Sequence, residues 1–362
     1  MEFIKPDIKT IGKEVLFLHA MDGIPRRGEG SCIRLKNGAI MYVYNTFEGA
    51  DWKDECPANL AVVYSYDEGE TWSEPRTLFT RDEEAINLMC PSPIRLKNGN
   101  LGMVYLRKSG LACTPYFVFS EDEGETFSEP IRCIEDDGMY VVENDHVIVL
   151  ESGRIIVPMN KHKTYENAEK YYSPFGRMQI LASDDNGMTW NKISDLIESP
   201  FNKKSSRNGI QETCVFQRKD GTIRAFSRTD IGCQLENFSE DEGTTWTVPQ
   251  ANRFFSSPLS PMLMKNVGKY TIAVFNPIPR FTTRNEGITW GRTPLVCAVS
   301  EDDGATFGRI YYLETDPENG YCYPSIFDGG DYMLISYYHS DNLDSPLRSV
   351  KMVKIMLDEI SE

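Results

Sequence analysis

A carboxylate at the head of an apolar strand needs a reason to be there, because burying an unpaired charge is costly. Glu212 stands in that position, just ahead of the apolar run that starts at Val215, and Arg228 follows sixteen residues later across Gly221. Arginine is the minority charge of this chain. Lys and Arg together number 38 against 54 Asp and Glu, a net charge of −16. A guanidinium is planar, permanently charged and able to hold a carboxylate with two parallel hydrogen bonds. A few Arg side chains converging on one point would therefore make a local anion site on an otherwise acidic protein. The excess of acid argues against a duplex nucleic-acid partner, which needs basic residues to neutralise phosphates, and against docking on anionic membranes.

Other reactive side chains point to quieter roles. The nine Cys, at 32, 56, 90, 113, 133, 214, 233, 297 and 322, include no Cys-x-x-Cys pair. They read as free thiols of a reducing compartment, not as a disulfide framework or a zinc site. The first residues show no apolar leader, so the location expected is cytoplasmic, with a trimmed secreted or periplasmic protein as the alternative. No apolar stretch is long enough for a membrane-spanning helix. Metals and cofactors are not expected.

These side chains are positioned by a repeat. The template Ser-x-Asp-x-Gly-x-Thr-Trp/Phe occurs at Ser65 to Trp72, Ser120 to Phe127, Ser183 to Trp190, Ser239 to Trp246 and Ser300 to Phe307, in steps of 55, 63, 56 and 61 residues. Its Asp can accept hydrogen bonds within a turn, its Gly suits a positive φ, and its aromatic residue can anchor neighbouring sheets. Asp67 and Asp122 could be mistaken for calcium ligands, but the alternating ligand loop of an EF-hand is missing. Before each box runs an apolar strand, a Gly-bearing turn and a second apolar strand. The copies are Ile33–Gly38 into Ile40–Tyr44, Ile94–Gly99 into Leu101–Leu106, and Val147–Gly153 into Ile155–Met159. Val215–Gly221 into Ile223–Ser227, Met262–Gly268 into Tyr270–Phe275, and Ile326–Gly330 into Tyr332–Tyr338 complete them. These hairpins, with no helical periodicity, predict an all-β six-bladed β-propeller. The unit without a box would be completed by Val15–His19 and Val350–Met356. Residues 1–362 would then be a single domain, although a prior of one domain per ~150 residues suggests more. Lys161 to Tyr172, polar and Tyr-rich, reads as a loop.

The boxes resemble the Asp-box, or bacterial neuraminidase, repeats of the sialidase superfamily, over roughly Pro25 to Ser340. In that family the boxes lie away from the active site, so function must rest on other residues. The resemblance implies three Arg for a substrate carboxylate, a Tyr nucleophile with a Glu as its base, and an Asp acid/base. In the family's chain order the matching positions are Arg26 or Arg27, Asp54 (with Asp51 as alternate), Glu212, Arg228, Arg292 and Tyr323 (with Tyr321 as alternate). Pro25-Arg26-Arg27-Gly28 departs from the family's Arg-Ile-Pro. Alternation along a strand lets only one of Arg26 and Arg27 face the axis. Glu29 would pair with an Arg or join the site. Asn144-Asp145-His146 opens the third hairpin, so His146 is a candidate substrate contact, while His162 is a weaker one.

A neutral Tyr hydroxyl avoids the repulsion that a carboxylate nucleophile would feel beside an anionic sugar, and glycosidases with a Tyr nucleophile are exceptions to the two-carboxylate scheme. The function expected is an exo-sialidase-like hydrolase that removes a terminal acidic sugar with retention. The alternatives are an exo-glycosidase on a non-sialic sugar and a non-catalytic carbohydrate-binding propeller. The partner is a small-molecule or oligosaccharide substrate, and the oligomeric state is open.

Overall fold

The computed structural model describes residues 8–165, 171–202, 204–279 and 289–361. Its strands are short, largely buried and separated by Gly-bearing turns. After β1 (Lys13–Leu18), a first antiparallel unit holds β2 (Arg27–Arg34), β3 (Ile40–Phe47), β4 (Ala58–Ser65) and β5 (Arg76–Phe79). The second holds β6 (Asn87–Arg95), β7 (Leu101–Ser109), β8 (Ala112–Ser120) and β9 (Ile131–Arg132). The third holds β10 (Met139–Val141), β11 (Ile148–Val149), β12 (Ile155–Tyr165), β13 (Tyr171–Ser183) and β14 (Asn191–Lys192). The fourth is β15 (Gln211–Gln217), β16 (Ile223–Arg228), β17 (Cys233–Ser239) and β18 (Gln250–Ser256). The fifth is β19 (Leu263–Val267), β20 (Tyr270–Phe275), β21 (Leu295–Ser300) and β22 (Arg309–Glu314). The last is β23 (Tyr321–Asp328), β24 (Tyr332–His339) and β25 (Ser349–Met356), and β1 pairs antiparallel with β25 as its fourth strand.

The fold is all-β. Single bridges, Ala58 to Asn87 and Met139 to Cys113, join the first three units into one continuous curled sheet. Each unit shares an apolar core with the next. Ile33, Val43, Leu60 and Met103 belong to the cluster between the first and second units, and Tyr42, Val63, Leu334 and Met352 to the one between the last and the first. Strands of successive units also neighbour one another: β2 beside β6, β6 beside β11, β12 beside β15, β15 beside β19, β19 beside β23, and β23 beside β2. The stretch read as a loop at Lys161 to Tyr172 is instead a strand extension. β12 runs on to Tyr165 and pairs with β13 from Tyr171, because the period-two pairing continues through Thr164 and Tyr172. Residues 166–170 of that stretch lie outside the described residues.

All five boxes form the same turn between the third and fourth strands. In each, the Ser hydroxyl donates to the Asp carboxylate at 2.8–2.9 Å and accepts from the Gly amide at 2.8–2.9 Å. The Thr hydroxyl donates to the same Asp at 2.5–2.7 Å. Those Thr donors hold Asp67, Asp122 and Asp302 down at about 2. A carboxyl depressed on folding contributes stability above its unfolded value near ~3.9, which is lost as pH falls through the folded value. The thermal midpoint is therefore expected to stay level above about pH 5 and to fall between about pH 4 and 2. A curve flat to pH 2 would contradict this account of the turns.

One carboxylate ties the middle together. Asp145 accepts from Ser31 Oγ of the first unit at 2.7 Å and from the Ile326 amide of the last at 2.9 Å, and it pairs with Lys265 of the fifth. Removing one partner of a buried pair leaves the other uncompensated. Asp145→Ala is expected to cost about 2–4 kcal/mol in denaturant unfolding, below the full buried-pair figure because Lys265 retains some solvent. A loss below about 1 kcal/mol would exclude this tie as a major contributor.

Candidate active site

The side chains of interest are aimed by a bulge that recurs at the start of the first strand. Pairing slips between Gly28 and Ser31, Met89 and Ser92, Gln211 and Cys214, and Cys322 and Ser325. The first residue of each slip has positive φ: Glu29 at 47°, Cys90 at 54°, Glu212 at 43° and Tyr323 at 54°. Such conformations are costly for non-Gly residues and gather at functional sites. All four side chains line one pocket of about 420 Å³, with Arg26, Asp54, Arg228 and Arg292. That volume suits a monosaccharide-sized ligand. Because β2, β3 and β4 alternate in direction, the boxes share the opposite end with the Gly turns, as the Arg34–Glu68 pair shows.

At one end of the pocket, the Tyr323 hydroxyl donates to Glu212 Oε1 at 2.9 Å and accepts from Arg228 Nη1 at 3.0 Å. Arg228 also contacts both oxygens of Glu212. Burial pushes the Tyr323 hydroxyl well above its ordinary range, and the Glu212 charge adds to this, against the pull of Arg228 and Arg292. The phenol is therefore neutral near pH 7 and needs a base. Arg292 lies against the same ring, its Cζ 5.3 Å from the Tyr323 centroid, and donates to Cys322 Sγ and the Leu259 carbonyl, each at 3.0 Å. It is only 3% exposed and has no carboxylate partner among the described residues. Two cations beside one carboxylate leave this end positive, ready for an anionic ligand. Trp52 and Trp290, with centroids 5.8 Å apart, add aromatic wall.

The other end is acidic. Arg26 is 1% exposed and fully engaged. Its Nε donates to Tyr338 Oη at 2.6 Å, its Nη1 to Asp54 at 2.6 Å and the Trp52 carbonyl at 3.2 Å, and its Nη2 pairs with Glu29. Tyr338 reaches this cluster only because Gly28 has no side chain, since a Cβ there would lie 1.8 Å from the ring. The surrounding walls push the Asp54 carboxyl up, but Arg26 outweighs them and holds it below the ordinary carboxylate range. Burial raises Glu29 in spite of Arg26, and burial, reinforced by Glu212 and Glu29, raises Glu143 well above that range.

The pocket thus gathers Tyr323, Glu212, Asp54, Arg26, Arg228, Arg292 and Glu29, with His162 at its wall. Three expected contacts are not brought to it. Arg27 does not line the pocket, because strand alternation turns it away once Arg26 faces inward, and it lies near Tyr44. Asp51 closes its own turn, accepting from the Trp52 amide at 2.7 Å and from Lys53 Nζ at 2.9 Å. His146 is buried against the Thr213 carbonyl at 3.1 Å, and burial lowers it to about 3, so it is neither exposed to a ligand nor charged. The alternate Tyr321 is buried beside Tyr337 and does not line the pocket. The lining residues not foreseen include Cys90, Glu143, Lys108 and Tyr172. A larger groove of about 1270 Å³ runs between the outer strands of the first two units, but Arg107 and Asp82 there are already paired.

A family model described as the BNR repeat-like domain matches residues 46–335. A sialidase of Paraclostridium sordellii is 28% identical over 145 residues, covering 36% of this chain and 31% of the relative, so the chain matches about a third of that protein's length. The Hadza microbial sialidase Hz136 is similar in structure with a TM-score of 0.73 at 15% identity, over 96% of this chain and 69% of that one. A protein of unknown function from Dyadobacter fermentans gives 0.70 at 17% identity, over 95% of this chain and 99% of that one. At such identities the structural likeness shows the fold alone.

Proposed function

The chain belongs to the BNR repeat-like family of the sialidase superfamily, and on that premise we propose that it is a retaining exo-glycosidase acting on a terminal acidic sugar, with a sialoside as the first candidate. The six antiparallel units are then the blades of one propeller forming a single domain, with β23 beside β2 as the closing contact. The observation that carries the proposal is the chain of hydrogen bonds through Tyr323, Glu212 and Arg228 with Arg292 alongside.

The chemistry follows from that geometry. The sugar carboxylate binds at Arg292 and Arg228, which places the anomeric carbon near the Tyr323 oxygen. Glu212 takes the phenolic proton as the oxygen attacks, and Arg228 steadies the developing negative charge. Asp54, with its side chain 52% exposed at the pocket mouth, donates a proton to the leaving oxygen and then activates water. Its pairing with Arg26 favours the ionised form, which suits the second of these steps better than the first. Aryl glycosides, whose leaving group needs no proton, are therefore the sensitive probes.

A second reading rests on Arg26. Its donors are already committed to protein acceptors, so two Arg side chains meet the ligand carboxylate instead of three, which admits a non-sialic acidic sugar such as a uronic acid. A panel of fluorogenic aryl glycosides that includes a sialoside, a uronide and neutral sugars separates the readings. Turnover of the sialoside supports the first, and turnover of the uronide alone supports the second. No turnover of any member would replace both with a carbohydrate-binding role.

A further inference from the structure

The pocket floor brings together three potential ligands from three different units: Glu29, Cys90 and Glu143, all buried, with donor atoms within 4.8 Å of one another. Cys90 Sγ lies 3.5 Å from Glu29 Oε2 and 3.7 Å from Glu143 Oε2. A thiol has one proton and can donate to only one of these carboxylates. Glu29 has Arg26 as its counter-charge. Glu143 is 5% exposed, lines the pocket, feels Arg228 only at a distance, and among the described residues makes no ion pair and has no side-chain donor other than Cys90. A buried carboxyl left without a partner outside the cluster is a group that calls for a ligand.

We propose that Glu29, Cys90 and Glu143 bind one thiophilic divalent cation, Zn²⁺ by fit, with its fourth position open to the pocket. Tetrahedral Zn²⁺ with thiolate at about 2.3 Å and carboxylate at about 2.1 Å separates sulfur from oxygen by about 3.6 Å. The two contacts of Cys90 bracket that spacing. The ion's two positive charges offset most of the three negative charges of two carboxylates and a thiolate, and Arg26, shared between Glu29 and Asp54, supplies part of the rest. A thiolate among the ligands selects Zn²⁺ over Mg²⁺ or Ca²⁺, which prefer all-oxygen shells. Local sequence spacing could not reveal the site, because its ligands lie 61 and 53 residues apart and meet only when the units assemble. The site stands whether or not the glycosidase reading holds.

The test titrates the full chain, stripped with a chelator, with Zn²⁺ alone in competition with a chromophoric chelator. One equivalent is expected to bind, and Cys90→Ser and Glu143→Gln are each expected to weaken binding by about tenfold or more. Zn²⁺ should raise the thermal midpoint of the wild type but of neither variant. Should a variant fail to fold, zinc-edge X-ray absorption on the wild type decides: one sulfur near about 2.3 Å with oxygen ligands is expected. No stoichiometric binding, binding that survives either substitution, or a shell with no sulfur or several would overturn the site.

Discussion

Tyr323→Phe is expected to lower kcat on the best aryl glycoside by at least about a thousandfold, with KM changed by less than about threefold. The substitution removes one oxygen from a half-buried ring and leaves its packing against Tyr338 and Arg292 intact. The carboxylate-binding pair, Arg228 and Arg292, is untouched, so ground-state binding should survive while the covalent step is lost. Steady-state kinetics checks both halves. Retained kcat would mean that Tyr323 is a wall residue and that the nucleophile lies elsewhere. A parallel loss in KM would mean that the hydroxyl binds substrate without attacking it.

Glu212→Gln is expected to cost about 10²–10⁴ in kcat. The reason is the raised Tyr323 hydroxyl: burial keeps it protonated at working pH, and the only carboxylate it donates to is Glu212. The amide keeps the shape but cannot take the proton. The residual rate of the variant should therefore climb with pH, since hydroxide must do what Glu212 did. A flat profile with near wild-type kcat would remove Glu212 from the mechanism. The substitution also leaves Arg228 without its carboxylate, so circular dichroism and a thermal melt should accompany the kinetics. A folded but inactive variant is the expected result.

The hairpins and boxes were legible because their signals are local: a Gly turn between apolar runs, and a carboxylate that satisfies its own turn. The site was legible only in part, for a physical reason that differs by residue. Glu212 stood out as a charge at the head of an apolar strand. Cys90 carried the same signal unread, since it precedes Ile94 by four residues as Glu29 precedes Ile33 and Glu212 precedes Phe216. A repeat-based alignment of strand starts would have found it. Glu143 has no such marker. It precedes the short strand β11, where the bulge falls differently and the positive φ belongs to Asp145. Arg26 and Arg27 were separable only by which face the strand turns inward. Asp51 and His146 lie outside the pocket because other contacts hold them: Lys53 and the Trp52 amide for the first, the Thr213 carbonyl, distant in sequence, for the second. The long β12–β13 hairpin escaped because polar residues mask its alternation.

The central claim is that a sugar becomes bonded to Tyr323. A fluorinated sialosyl donor, reactive at the anomeric carbon but slow to hydrolyse, tests it most directly by intact-mass and peptide mass spectrometry. The expected result is one added sugar mass per chain, carried by the peptide that contains Tyr323 and absent from Tyr323→Phe. An adduct on another residue, or turnover of the donor with no adduct at any time, would contradict the account.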